Sequence, residues 1–176
     1  MQVFLIRHPA PAVSPTVCYG RSDVALADNA HASLASIATG LRQQLPGNIP
    51  VFSSPLTRCR QLADLLHPAV QYDNRLREMH FGAWELQNWD DIPRAEIDAW
   101  ADDTLHYVPP GGESVAQMRE RVLAFMDEQR QHEAIAIVSH AGIMKILVGQ
   151  AQQLPDRAWI ALRFDYGGLH TLHWPS

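Results

Sequence analysis

The sequence predicts a three-layer α/β/α domain built around a mainly parallel mixed sheet, on two observations. Val3 to Ile6, Ile49 to Phe52 and Ala134 to Val138 are short apolar runs, which read as strands buried on both faces rather than as the alternation of a half-solvated sheet. Each is followed downstream by a stretch whose apolar residues fall at helical spacing, the strand–helix alternation that covers a parallel sheet on both sides. The 176 residues fit one domain over 1–176, and a hydrophobic content of 47% supplies a sizeable core.

The elements follow in order. Val3 to Ile6 opens the chain as a strand, and Pro9, with its fixed φ and missing N–H, stops it. Asp28 is placed to cap a helix whose Ala30, Leu34, Ile37, Ala38, Leu41 and Leu45 form one face until Pro46-Gly47 ends it. Ile49 to Phe52 is the next strand. Ser53-Ser54-Pro55 then supplies a cap and a first-turn proline for a helix reaching about His67, with Leu56, Cys59 and Leu62 on its buried stripe. Ser114 and Gln117 make a capping box ahead of a helix striped by Val115, Met118, Val122, Phe125 and Met126. Ala134 to Val138 is a buried strand left through Ser139-His140, and a helix runs on from Ile143. Trp159 to Phe164 and Leu169 to Trp174 read as a hairpin about Gly167-Gly168, the antiparallel addition to the sheet. The stretch from about 80 to 110, with Trp84, Trp89, Trp100 and a helix start at Pro93, reads as a lid-like insertion.

The polar residues that interrupt this pattern carry the chemistry. Arg7 and His8 leave the first strand, Arg58 lies in the first turn of the helix after the second, and His140 joins the third strand to its helix. Parallel strands have their exits on one side, so the four converge at a sheet's carboxyl edge. Two guanidinium forks, two imidazoles and helix-start N–H groups suit a phosphate dianion, and imidazole is also a nucleophile able to carry a phosphoryl group. A net charge of −5 leaves no basic footprint for nucleic acid or an anionic membrane surface. No run spans a bilayer and no basic leader opens the chain, so a cytoplasmic location is expected. The cysteines, Cys18 and Cys59, are too few for a disulfide scaffold, and Cys18 is expected in an exposed loop near the cluster. His170 and His173 come nearest to a metal-ligand spacing, but an offset of three puts them on opposite faces of a strand, so no metal and no cofactor are expected.

LIRHP at 5–9, YGRSD at 19–23, SSPLTRCRQLA at 53–63, LREMHFGAWE at 76–85, PGGES at 110–114 and VSHAG at 138–142 together resemble, in order and spacing, the motifs of the histidine phosphatase superfamily, with its phosphoglycerate-mutase-like fold. The resemblance implies that His8 is phosphorylated, that Arg7, Arg58 and His140 bind the phosphoryl group, and that Glu78 is the proton donor. It implies a phosphatase acting on a small-molecule phosphomonoester. The YGRSD and FGAWE stretches look like the α-ribazole-phosphate phosphatases of cobalamin synthesis. A broad-specificity phosphatase or a mutase is the alternative within the fold, and a non-catalytic phosphate-binding or interaction domain the alternative outside it. Ser14, Gly20, Arg21, Ala141 and Trp84 are the expected substrate contacts. The chain departs from the family pattern at Pro9, Ala10, Pro11 and Ser14, where RHG is most often followed by Glu-Thr and then Asn, and at Leu86, where compact members often carry glycine.

Overall fold

In the computed structural model, which describes residues 1–175, β1 (Gln2–Arg7), β2 (Val51–Ser53), β3 (Gln71–Tyr72), β4 (Ala134–Ser139) and β5 (Leu169–His173) form one sheet in the order β3-β2-β4-β1-β5. Neighbours are parallel except β5, which pairs antiparallel with β1. The apolar runs are unbroken because successive residues face opposite layers. Val3, Leu5, Ile135 and Ile137 pack with α4 (Val115–Glu128) and α5 (Ala141–Ala151), while Phe4, Ile6, Ala136 and Val138 pack with α1 (Asp28–Arg42) and α2 (Thr57–Leu66). The three-layer α/β/α architecture is therefore the one the sequence predicts. No helix among the described residues is long and apolar enough to cross a membrane.

Helix starts depart from the sequence expectation in instructive ways. α4 opens on the expected Ser114–Gln117 capping box. α1 takes Ala27 as N-cap, with Asp28 as its first residue, where a carboxylate still favours the helix dipole. It stops at Arg42, leaving Leu45 beyond it. α2 is capped from a distance: Asp23 accepts the Thr57 N–H at 2.7 Å and the Thr57 hydroxyl at 2.9 Å. Ser53 and Ser54 are thereby released to the sheet, Ser54 N–H bonding to the Val138 carbonyl.

The predicted C-terminal hairpin does not form among the described residues. Pro155 and Asp156 start α6 (Asp156–Ile160), and Trp159 is fixed by its Nε1–H to Asp156 at 3.0 Å and by packing so close to Gly149 that a Cβ there would collide with it. Only Leu169–His173 becomes a strand, and it lies along the edge of the sheet beside β1.

The stretch from 80 to 110 has a small aromatic core of its own. It holds two 3-10 turns, Gly82–Trp84 and Trp89–Asp91, and then α3 (Arg94–Asp102), N-capped by Pro93. Trp84, 1% exposed, stacks on Tyr107, meets Trp100 edge-on and donates from Nε1 to Glu96 at 2.6 Å. Trp89 and Trp100 lie nearly parallel, 5.9 Å apart.

Leu86 closes this turn with a φ of 64°. That left-handed geometry disfavours any side chain with a Cβ, which is why glycine suits the position, and at 60% exposure the leucine gains little from packing. Leu86→Gly is expected to raise stability by about 1 kcal/mol in denaturant unfolding; a loss of stability would contradict this account of the turn.

Candidate active site

The exits of β1, β4 and β2 lie side by side because Arg7 pairs with Ser139 and Ser53 with Val138. His8 N–H bonds onward to the Ser139 carbonyl, and His140 is the N-cap of α5. The four residues therefore meet at the carboxyl edge of the parallel strands, with the His8 and His140 rings 5.1 Å apart.

His8 is 2% exposed, and its Nδ1 lies 2.6 Å from the Pro9 carbonyl. A carbonyl only accepts, so the proton sits on Nδ1 and Nε2 keeps a free lone pair. Pro9 serves this contact with its carbonyl. Burial above all, then the Arg58 charge and more weakly Arg7, outweigh that bond and lower the His8 pKa to about 3. His140 is fully buried and held neutral by the same causes, with Nε2 2.8 Å from Ser54 Oγ and Cys59 Sγ 3.5 Å away.

Arg58 has no exposed surface. It donates to the Gly20 and Ser22 carbonyls, each at 2.7 Å, and its Nε is buried without a partner. Arg7 donates to the Phe164 carbonyl at 2.6 Å, and its Nε is likewise unpartnered. The Arg58 guanidinium is buried and that of Arg7 half-buried, and each keeps a buried Nε donor with no partner among the described residues. The loop that holds Arg58 is fixed by Glu85, whose carboxylate accepts from the N–H groups of Arg21, Ser22 and Phe81 and from the Ser22 hydroxyl.

Glu78 reaches the same edge from another direction. Its Oε2 accepts the Gly142 N–H at 3.0 Å in the first turn of α5, and its Oε1 the Met79 N–H at 3.0 Å. A Cβ at residue 142 would overlap this carboxylate, so only glycine lets it sit there. The PGGES motif carries the loop behind Glu78. Glu113 accepts from His80 N–H at 2.9 Å and pairs with Arg121, which also donates to the Glu78 carbonyl at 3.2 Å.

Beside Glu78 opens a cavity of about 690 Å³, lined by Tyr19, Gly20, Ala141, Lys145 and Tyr166 and by apolar walls that include Trp89 and Trp100. A hollow of about 880 Å³ lies at the opposite end of the sheet, around Met1, His173 and Trp174, away from these groups. Among the described residues no cluster of three or more His, Cys, Asp or Glu is placed to hold a metal ion.

Residues 3–176 match the Histidine phosphatase superfamily (branch 1). The chain belongs to this superfamily. It is 28% identical over 185 residues to an Adenosylcobalamin/alpha-ribazole phosphatase of Escherichia coli K12, covering 95% of this chain and 87% of that one. It is 29% identical over 175 residues to a Probable phosphoglycerate mutase GpmB of Escherichia coli O1:K1, covering 93% and 79%. The structure of the alpha-ribazole phosphatase from Shigella flexneri superposes with a TM-score of 0.82 at 26% identity, covering 97% and 89%. A mycobacterial glucosyl-3-phosphoglycerate phosphatase does so with a TM-score of 0.82 at 24% identity, covering 97% and 88%, and at that identity it attests the fold alone.

Not every residue expected to touch substrate reaches the cavity. Gly20 and Ala141 line it. Trp84 does not, being buried beneath Trp100 and Tyr107; the tryptophans at the wall are Trp89, Trp100 and Trp159. Ser14 is exposed, with its hydroxyl on Thr16 at 2.8 Å, and Arg21 is exposed, contributing its backbone N–H to Glu85. Cys18, expected to be exposed, is buried, and burial pushes its thiol up to about 12. Tyr19, Ser54 and Tyr166 are neighbours of the cluster that sequence reasoning passed over. Tyr19 and Ser54 stand inside quoted motifs, whereas Tyr166 lies beyond the last of them.

The His8 environment has a solution signature. An unfolded histidine protonates near 6.5, and the folded His8 only near 3, so the unfolded state binds the extra proton and stability is lost as pH falls through that interval. Side-chain NMR is expected to show no His8 titration step near 6.5; a step there would contradict the burial and charge assigned to this ring.

Proposed function

We propose that the protein hydrolyses phosphomonoesters through a phosphohistidine on His8. The observation that carries this reading is the neutral His8, its Nε2 free, beside the buried Arg58 and the half-buried Arg7, whose buried Nε donors have no protein partner. Arg7, Arg58 and His140 hold the phosphoryl oxygens and stabilise the charge that spreads over them in the transition state. His8 Nε2 attacks phosphorus in line with the ester oxygen, the P–O bond breaks, and Glu78 gives its proton to the departing alcohol. Water then attacks, Glu78 takes its proton, the P–N bond breaks and inorganic phosphate leaves. Glu78 suits both tasks because it borders the cavity while its oxygens are aimed by backbone N–H groups.

The cavity favours a bulky, apolar leaving group. Its charged lining residues are Glu78 and Lys145, the rest being largely aromatic and aliphatic, so a multiply phosphorylated alcohol would find a single basic side chain. Residues 80–110 act as the lid, with Trp89 and Trp100 against the leaving group. α-Ribazole 5′-phosphate is the substrate proposed first, in keeping with relatives named as alpha-ribazole phosphatases.

Two measurements test these steps. Quenching with labelled substrate under non-acidic conditions is expected to place phosphate on His8, and Glu78→Gln is expected to slow alkyl phosphates far more than aryl phosphates, whose phenolate leaves with little protonation. Label elsewhere would overturn the nucleophile, and equal losses would overturn the acid. For the substrate, kcat/KM for α-ribazole phosphate is expected to exceed that for 3-phosphoglycerate and fructose 2,6-bisphosphate by about tenfold or more; the reverse order would overturn the cobalamin assignment and leave the phosphohistidine chemistry standing.

A further inference from the structure

Two tyrosines outside the catalytic set close the chamber that holds His8. The Arg7 guanidinium carbon lies 3.6 Å from the centre of the Tyr166 ring, and that ring is 5.6 Å from the His8 imidazole. The Tyr166 hydroxyl meets the Tyr19 hydroxyl at 3.3 Å, and the Tyr19 ring lies 5.3 Å from the Arg58 guanidinium carbon. Both tyrosines line the cavity, while His8 and Arg58 lie behind them with almost no exposed surface. Burial raises the Tyr19 pKa, so its hydroxyl stays neutral. A phosphoryl group entering from the cavity must part this pair.

The two halves of the roof are held differently. Tyr19 belongs to the loop that grips Arg58, and the following Gly20 packs so tightly against Met79 and Glu85 that a Cβ would collide. Tyr166 is 44% exposed. Its backbone is pinned next door, where Gly167, at a φ of 70°, donates to the carbonyls of Arg7 and His8. Its side chain is held over Arg7 by a cation–π contact and by one long hydroxyl contact. The side chain can therefore swing about a fixed backbone at small cost.

We infer that Tyr166 selects the acceptor of the phosphoryl group, an inference that rests on the phosphohistidine reading above. The ring swings aside to admit the ester and returns over Arg7 once the alcohol has left, leaving room at phosphorus for water and not for a second alcohol. The balance is the same for either acceptor: the P–N bond to His8 breaks, a P–O bond forms, and the acceptor's proton passes to Glu78. Water yields inorganic phosphate and an alcohol yields a new ester. Tyr166 is thus the residue that makes this site a hydrolase rather than a transferase.

The test is the partition of the phosphoenzyme. With phenyl phosphate as donor and glycerol added, phosphorus NMR gives the ratio of glycerol phosphate to inorganic phosphate, which counts only active molecules and is insensitive to any loss of folded protein. Tyr166→Ala is expected to raise that ratio about tenfold, and Tyr166→Phe, which keeps the ring over Arg7, to leave it near the wild-type value. A ratio unchanged in Tyr166→Ala, or raised equally by Tyr166→Phe, overturns the role of the ring. Quenched label on His8 in the wild type separates the two levels of the claim. Its absence overturns the phosphohistidine mechanism and this inference with it, whereas its presence with an unchanged ratio overturns the Tyr166 role alone.

Discussion

The structure depends on one buried charge. Arg58 is removed from water entirely, and no carboxylate among the described residues forms an ion pair with it; its partners are two backbone carbonyls. Desolvating a guanidinium costs several kcal/mol unless its donors are satisfied. The carbonyls of Gly20 and Ser22 must therefore stay in place, and the neighbouring features follow from that need. Glu85 gathers the N–H groups of Arg21, Ser22 and Phe81, tying the Arg58 loop to the turn that follows Glu78. Glu113 and Arg121 brace the other side of that turn, and Asp23 ties the same loop to the start of α2, which carries Arg58 itself. Charged side chains here mostly hold backbone, and the backbone holds the site.

The same arrangement keeps neutral the imidazole on which the proposed mechanism relies. Arg58 and Arg7 oppose protonation of His8, burial opposes it more strongly, and the Pro9 carbonyl takes the remaining ring proton. A neutral imidazole with a free Nε2 and two arginine Nε donors without a protein partner are two results of one placement, set by the parallel register of β1 against β4.

Much of this was legible in the sequence because it is local. The apolar runs of β1 and β4 end where Arg7-His8 and Ser139-His140 begin, so the carboxyl edge and its residues could be read directly. What could not be read depends on distant partners. Asp23 caps α2 across 34 residues, displacing the Ser-Ser-Pro cap that sequence alone suggests. Trp159 to Phe164 looks like a strand, yet Pro155 and Asp156 start a helix, and Trp159 needs the bare surface of Gly149 to pack. Trp84 has the size and position of a substrate contact, and only the aromatic neighbours that enclose it show otherwise. Pro9 looks like a loss in sequence because its N–H is gone, whereas the structure uses its carbonyl.

The central claim is that the unpaired donors of Arg7 and Arg58 and the free Nε2 of His8 face one common anion. A crystal structure with vanadate tests it most directly. The account predicts vanadium bonded to His8 Nε2 with its oxygens on the Arg7 and Arg58 Nε groups, their other contacts to Phe164, Gly20 and Ser22 retained. Vanadate bound elsewhere, or at this edge without contact to either arginine, would contradict it.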